Sequence, residues 1–406
     1  MPYSGRPSLM KKLNRSAILE LLREKGPLSR TQIAQILQLS PATITRIVND
    51  LLEENLILEV GKGESTDVGG RRPALLEFNY KANAIIGIDL GGTNIIGALA
   101  DLGGNILQKV SMPSMTKGQK DGLEQLAKVI EELLSNPCLD DQQLRGIGIG
   151  APSITLHCEG LVVWAPSLGW RNLPLKQIMK DRFGVPVFVE NDVNLAALGE
   201  SRYGTGKGVD NLVCIYIGTG IGAGIIINGE LYRGSSEAAG EVGYLVPGTN
   251  YLGRCYDQFG CLESLAAGPG IARRAREAIE RGGNSMLTDL VGGHLEALTA
   301  ECIFEAARRG DRLAQSIVDE TVDYLSIVIA NVSAVLNPEM IIIRGGVARS
   351  ADMLLEPIRQ RVAGVVPVMP RIVASELGDS TAVMGAIAIV LHSTDDYLFV
   401  RSQAEE

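Results

Sequence analysis

Two stretches of the chain repeat one design: an apolar strand, a glycine-rich turn, a second apolar strand and a tight hairpin into a third. The first runs Ile85-Ile86-Gly87-Ile88-Asp89-Leu90, Gly91-Gly92-Thr93-Asn94, Ile95 to Ala100 and Gly103-Gly104-Asn105. The second runs Leu212 to Ile217, Gly218-Thr219-Gly220-Ile221-Gly222, Ala223 to Ile227 and Asn228-Gly229. Such a duplication predicts two α/β lobes facing each other across a cleft, each turn offering backbone N–H groups to phosphate oxygens. Either turn alone also reads as a plain tight hairpin, because glycine serves turns everywhere. The pair together, with Asp89 placed to hold water or Mg2+ beside a phosphate, favours a site. Neither turn is a Walker loop or a dinucleotide fingerprint, since neither has that glycine spacing followed by a helix.

The chain of 406 residues is 46% hydrophobic and 21% charged, which suits two or three packed domains and excludes disorder as its main state. Its longest apolar runs, such as Met340 to Ile343, fall far short of a membrane span, and the polar N-terminus lacks a signal-peptide core. Six cysteines without a CxxC pair fit a reducing compartment, so a cytoplasmic protein with no membrane partner is expected. The net charge of −9 is unevenly spread. Residues 1–80 carry 11 Lys and Arg against 9 Asp and Glu, whereas the rest carries 27 against 38. Nucleic acid could therefore be bound only through the N-terminal segment.

That segment has the pattern of a DNA-binding module. Leu13, Ala17, Ile18, Leu21 and Leu22 recur at helical spacing until Gly26-Pro27. Ser29 with Gln32 forms a capping-box pattern ahead of Ile33, Ile36 and Leu37. Ser40-Pro41 then opens a third helix, with Ile44, Ile47, Val48, Leu51 and Leu52 on its inner face. Ser40, Ala42, Thr43, Thr45, Arg46 and Asn49 are left for base edges and phosphates, the helix-turn-helix arrangement. Ile57 to Val60, the turn Gly61-Lys62-Gly63, and Gly69-Gly70-Arg71-Arg72-Pro73 before Ala74 to Phe78 predict a two-stranded wing whose tip, Arg71 and Arg72, reaches a phosphate or minor groove. A three-helix protein-interaction domain with solvated arginines is the alternative reading.

Between the two glycine hairpins, the apolar run Val185 to Val189 leads through Glu190-Asn191-Asp192 into an alanine-rich helix reaching Glu200. A carboxylate at such a strand-to-helix junction can take a proton from a sugar hydroxyl, and Asn191 offers both a donor and an acceptor. Either residue also serves as a simple helix cap.

These motifs together resemble the ROK family (repressors, open reading frames and sugar kinases), in the branch with a winged helix ahead of a sugar-kinase-like body. The resemblance spans nearly the whole chain and implies an α/β fold. A winged helix-turn-helix over 1–80 precedes a duplicated actin/hexokinase-like (ribonuclease H-like) two-lobed ATPase fold over 81–406, with lobes of about 81–200 and 201–406. It implies phosphate loops at Asp89, Gly91, Gly92 and Thr93 and at Gly218, Thr219 and Gly220, with an adenosine-side turn at Gly345-Gly346. It also implies sugar-hydroxyl ligands at Asn191, Asp192, Glu241 and Glu263.

This chain departs from the family pattern at several positions. Ser153 stands where a Gly is usual, Ser167 where an Asn is, and Arg344 where a small Gly lies beside the adenine. Aligned on Gly260-Cys261, the family's zinc-binding His becomes Tyr244 and its first two Cys become Arg254 and Tyr256, with Cys255 out of register. His157, His294 and His392 lie elsewhere, so no zinc is expected. Tyr244 would replace part of that His by packing and one hydroxyl contact with the sugar.

The function implied is a sugar-responsive transcriptional regulator, a repressor of carbohydrate-utilisation genes. It would bind double-stranded operator DNA as a homodimer or homotetramer, hold a sugar or sugar phosphate in the interlobe cleft, and require no cofactor. The alternative is an ATP-dependent sugar kinase using ATP and Mg2+, with Asp192 as the catalytic base. The helical run Ile317 to Leu336 has apolar positions on more than one face and fits either subunit packing or a core helix.

Overall fold

The computed structural model describes residues 7–63, 72–114, 118–140, 143–254 and 260–393. The chain opens with α1 (Pro7–Lys25), which stops where Gly26 takes φ 74°. After β1 (Leu28–Ser29), α2 (Arg30–Leu37) starts from a complete Ser29–Gln32 capping box. Ser40 caps α3 (Pro41–Glu53), with Pro41 as its first residue. Ile44, Ile47, Val48 and Leu51 of α3 are buried as the spacing predicts, but Ile36 of α2 is 44% exposed.

The wing pairs β2 (Ile57–Lys62) with β3 (Ala74–Phe78), and β1 joins β3 on its other side, a third strand too short to show in the pattern. Of the turn expected at Gly61-Lys62-Gly63, Gly61 and Lys62 are instead strand. Pairing continues past a bulge between Glu59 and Gly61, and the Gly63 N–H donates to the Pro73 carbonyl at 2.8 Å. The wing tip with Gly69, Gly70 and Arg71 lies outside the described residues.

The body holds two sheets of like order. In the first lobe, β4 (Asn83–Leu90), β5 (Asn94–Asp101) and β6 (Ile106–Pro113) form the predicted meander. Then come α4 (Gln119–Leu134), β7 (Gln143–Ala151), a small meander of β8 (Ile154–Leu156), β9 (Leu161–Ala165) and β10 (Trp170–Leu173), α5 (Leu175–Phe183) and β11 (Val187–Asn191). The sheet runs β11-β7-β4-β5-β6. Helix α6 (Asp192–Tyr203) leads to the second lobe: β12 (Leu212–Ile217), β13 (Ile221–Ile227), β14 (Glu230–Tyr232), α7 (Cys261–Ala266), α8 (Gly268–Glu280), α9 (Leu287–Leu290), α10 (Ala300–Arg308), α11 (Arg312–Leu336), β15 (Met340–Arg344), α12 (Ala351–Val362), β16 (Arg371–Ala374) and α13 (Thr381–Ser393). This sheet runs β14-β13-β12-β15-β16. Each sheet is therefore an antiparallel three-strand meander with two parallel strands added on the side of its first strand.

Helix α6 is buried from Asn194 to Ser201, which its small residues permit. At Gly224 in β13 a Cβ would collide with Ala197 and the Val193 carbonyl, so the second sheet meets α6 through backbone. On another side α13 crosses α6 where Gly199 faces the Thr381 carbonyl and Gly385 faces the Leu195 carbonyl. Although α13 ends the described chain, it packs on β4 and β7 of the first sheet. Gly87 and Gly148 make room for its backbone. One apolar core then joins α13 and Leu195 and Leu198 of α6 to Ile18, Leu22, Ile33, Ile57 and Phe78 of the winged helix. Helix α11 is chiefly a core helix, though Ile327 and Val335 remain exposed at 37% and 80%.

Gly385→Ala places a methyl group against a carbonyl that cannot yield. Despite a helix-propensity gain of about 1 kcal/mol, it should destabilise the protein by about 3 kcal/mol, the upper end of ordinary overpacking. Equilibrium urea unfolding measures this, and an unchanged or raised midpoint would contradict the packing described.

Candidate functional site

The candidate cleft is placed where the start of α6 comes against Gly222 of β13 and Gly150 of β7, with Asp89 of β4 within electrostatic reach. Asn191 ends β11 and caps α6, its Oδ1 accepting from the Val193 and Asn194 N–H groups at 3.0 Å. Its Nδ2 donates to the Ser153 carbonyl at 2.9 Å, so the capping reading of Asn191 holds and one amide N–H remains for a ligand. Ser153 sits at φ 63°, the left-handed region that explains why glycine is usual there. Gly222 lies against Val193, and Ser167 lies against Gly92 of the first turn.

Asp192 as a residue is half-buried, and desolvation of its carboxyl raises the pKa to about 7. The like charge of Asp89 adds to the rise, while the Arg344 guanidinium opposes it. The structure thus brings Asp89, near the end of β4, within electrostatic reach of Asp192, with Gly150 of β7 between their strands. A carboxyl group poised near neutrality can accept a hydroxyl proton or hydrogen bond.

On the second lobe, Glu263 lies beneath the Gly218-Thr219-Gly220 turn and accepts from the Ile221 N–H. Glu241 is near enough to raise the pKa of Glu263, adding to the rise from burial, and desolvation raises that of Glu241 as well. Tyr244 does not pack into the cleft as expected: its side chain is 62% exposed. Gly345, at φ 101°, presses against the end of β12, while Gly346, Gly92 and Thr93 are exposed. Cys261 is buried, Cys255 and Tyr256 lie outside the described residues, and no cluster of three or more His, Cys, Asp or Glu among the described residues could hold a metal ion.

Glu190, Arg233 and Tyr216, in and beside the cleft, escaped sequence reasoning. Glu190, 1% exposed, receives Arg233 Nε at 2.7 Å, the Asn191 N–H at 3.0 Å and Asn194 Nδ2 at 3.0 Å. It thereby ties the second lobe's Arg233 to the strand that carries Asn191; an acidic residue closing an apolar strand was its signal. Tyr216, the one aromatic residue in the apolar strand β12, lies within electrostatic reach of Asp192 and Asp89.

The outer face of α3 exposes Ala42, Thr45, Arg46 and Asn49, with Thr43 half-buried. Ser40 Oγ accepts from the Thr43 N–H at 3.2 Å and Thr45 Oγ1 donates to the Pro41 carbonyl at 2.8 Å, which leaves Arg46 and Asn49 as the longest exposed side chains of the face. Arg72 is exposed at the described edge of the wing. No helix among the described residues is long and apolar enough to cross a membrane.

Comparison with known proteins matches both halves of this architecture. Residues 13–57 match a winged helix-turn-helix DNA-binding family, and residues 85–393 match the ROK family. The chain is 30% identical over 392 residues to the xylose repressor of Caldicellulosiruptor bescii, covering 95% of this chain and 97% of that one. It is 36% identical over 312 residues to the glucokinase of Halalkalibacterium halodurans, covering 74% of this chain and 92% of the enzyme. The crystal structure of a ROK family transcriptional regulator, a homologue of the Escherichia coli MLC protein, superposes with a TM-score of 0.82 at 29% identity, over 96% of this chain and 98% of that one. The duplicated glycine hairpins, the Asn191-Asp192 junction and the winged helix ahead of them thus come together in one conclusion: the chain belongs to the ROK family.

Proposed function

We propose that this protein is a sugar-responsive transcriptional repressor whose winged helix, residues 1–80, binds double-stranded operator DNA and whose body, residues 81–406, senses a sugar. The carrying observation is that its likeness to a xylose repressor runs through the winged helix and the body alike, whereas the glucokinase likeness covers 74% of the chain. In this reading α3 enters the major groove with Ala42, Thr45, Arg46 and Asn49, Ser40 and Thr43 approach phosphates at its N-terminus, and Arg71 and Arg72 reach from the wing. A homodimer or homotetramer presents two such helices to half-sites about 34 Å apart. The sugar sits among Asn191, Asp192, Glu241 and Glu263, with Tyr244 at the rim. No cofactor or zinc is required.

Beside the glucokinase likeness, the kinase reading has one observation of the site in its favour, the Asp192 pKa raised to about 7 next to Asp89. The same group serves a sensor, because a sugar hydroxyl donating to Asp192 binds its ionised form.

Fluorescence anisotropy with DNA from upstream of the protein's own gene, with and without a panel of monosaccharides, tests the reading. A salt-sensitive, sequence-specific complex released by one sugar is expected. Absence of any specific complex, together with sugar-dependent ADP production, would reverse it in favour of the kinase. Arg46→Ala should weaken the specific complex about tenfold or more, and an unchanged affinity would remove α3 from the groove. Asp192→Asn should bind operator as the parent does yet fail to be released by sugar; lost DNA binding would make Asp192 structural.

Sugar affinity should also depend on pH. With Asp89, Tyr216 and Arg344 facing it, Asp192 ionises near pH 7, and the ionised form accepts the hydroxyl. Affinity should therefore fall about tenfold per unit as pH drops below 7 and level off above it. Calorimetric titrations from pH 5.5 to 8 measure this, and a flat profile would place the sugar away from Asp192.

A further inference from the structure

The family's kinases use ATP, and the fit of its phosphates to this chain can be judged from the residues lining their route to Asp192. A phosphate tail needs open backbone N–H groups at the two glycine turns and free space between them. Here the Gly91 N–H donates to the Asn94 carbonyl at 3.0 Å and the Gly218 N–H to the Gly220 carbonyl at 2.9 Å, so each turn spends one donor on closing itself. The second turn is also packed from within. Tyr216 and Arg344 are register partners on the parallel strands β12 and β15, and the Arg344 guanidinium carbon lies 5.5 Å from the Tyr216 ring centroid. The Tyr216 hydroxyl abuts Gly218 and hydrogen-bonds the Thr219 side chain.

We infer that the Tyr216–Arg344 pair is a built-in plug of the nucleotide-phosphate subsite, so that the cleft takes a sugar as sole ligand and rejects ATP-Mg2+. Each half of the pair removes something the nucleotide needs. The tyrosine ring fills the floor of the second turn and engages the Thr219 hydroxyl. The guanidinium brings a fixed positive charge within reach of both Tyr216 and Asp192, the region a phosphate-bound Mg2+ would neutralise. Arg344 is not arranged as a phosphate ligand. Its Nε is buried with no hydrogen-bond partner, and its guanidinium is committed to the Tyr216 ring. Asp192 is thereby kept as a hydroxyl acceptor while the phosphoryl donor is excluded.

The inference rests on reading this cleft as the ligand site, and its test is independent of DNA. Isothermal titration of the full chain with ATP-Mg2+ is compared with Arg344→Gly and with Arg344→Gly combined with Tyr216→Thr, thermal unfolding serving to check that each is folded. The parent should show no saturable binding at millimolar ATP, and the double variant should saturate at least tenfold more tightly, with the single variant between. Should the double variant not fold, Arg344→Ser and Tyr216→Phe carry the same comparison with smaller gains expected. Saturable ATP binding by the parent that weakens on Arg344→Gly would make Arg344 a phosphate ligand and overturn the plug; so would folded variants that gain nothing. Sugar-triggered release of operator in nucleotide-free buffer addresses the repressor reading separately, so a sugar response that demands ATP sinks the plug alone.

Discussion

Backbone-to-backbone contact around α6 is the constraint on which the rest of the molecule depends. A helix buried on nearly every side must approach its neighbours closely, and glycine supplies that approach at Gly199, Gly224 and Gly385. The second sheet closes on one side of α6 and α13 on another, and α13 in turn lies on the first sheet at Gly87 and Gly148. Both lobes therefore grip one helix. Side chains in such contacts could adjust, but carbonyl oxygens facing a missing Cβ cannot, so the elements move as packed bodies or not at all.

That helix also links the two functional ends. Asn191 and Asp192 stand at its start, while Tyr203 at its other end lies against Gly104 and within electrostatic reach of Arg23 in α1. Twelve residues of helix span about 18 Å. The winged helix is seated rather than tethered: Arg23 lies over Phe78, the Leu102 N–H donates to the Tyr80 carbonyl at 3.0 Å, and the apolar core runs on from Ile18 and Leu22 into α13. A ligand at Asn191 and Asp192 can bias such a body only by its different affinity for two arrangements of it.

What was legible in the sequence followed from local chemistry. The hairpins announce themselves because Asn228-Gly229, at φ 53° and 76°, and the glycine turns admit few other conformations. The helix starts at Ser29 and Ser40 are equally local, since a cap and its partner lie three residues apart. What stayed hidden depends on partners distant in sequence. Two-residue β1 exists only because β3 accepts it, and β2 runs through Gly61 and Lys62 because pairing across a bulge outweighs their turn preference. Tyr244 was expected to pack like the residue it replaces, yet the loop leaves it in solvent. Arg344 stood out as a departure, but its meaning needed Tyr216 across the ladder, 128 positions earlier.

The electrostatics of the cleft explain how one set of residues can be kept while its chemistry is changed. Asp192 is raised toward neutrality chiefly by desolvation, with Asp89 adding to the rise and Arg344 restraining it. A sugar hydroxyl that donates to Asp192 favours the charged carboxylate, and that charge attracts the Arg344 guanidinium more strongly than the neutral acid does. Arg344 is on the second lobe's β15 and Asp192 opens α6, so ionisation draws a strand of one lobe toward the helix that both lobes share. In a kinase the corresponding attraction is supplied by Mg2+ and ATP and ends with phosphoryl transfer. Under the proposed plug the cation is written into the chain, so that ligand binding would change the balance of charge and leave the sugar intact, which is the requirement of a sensor.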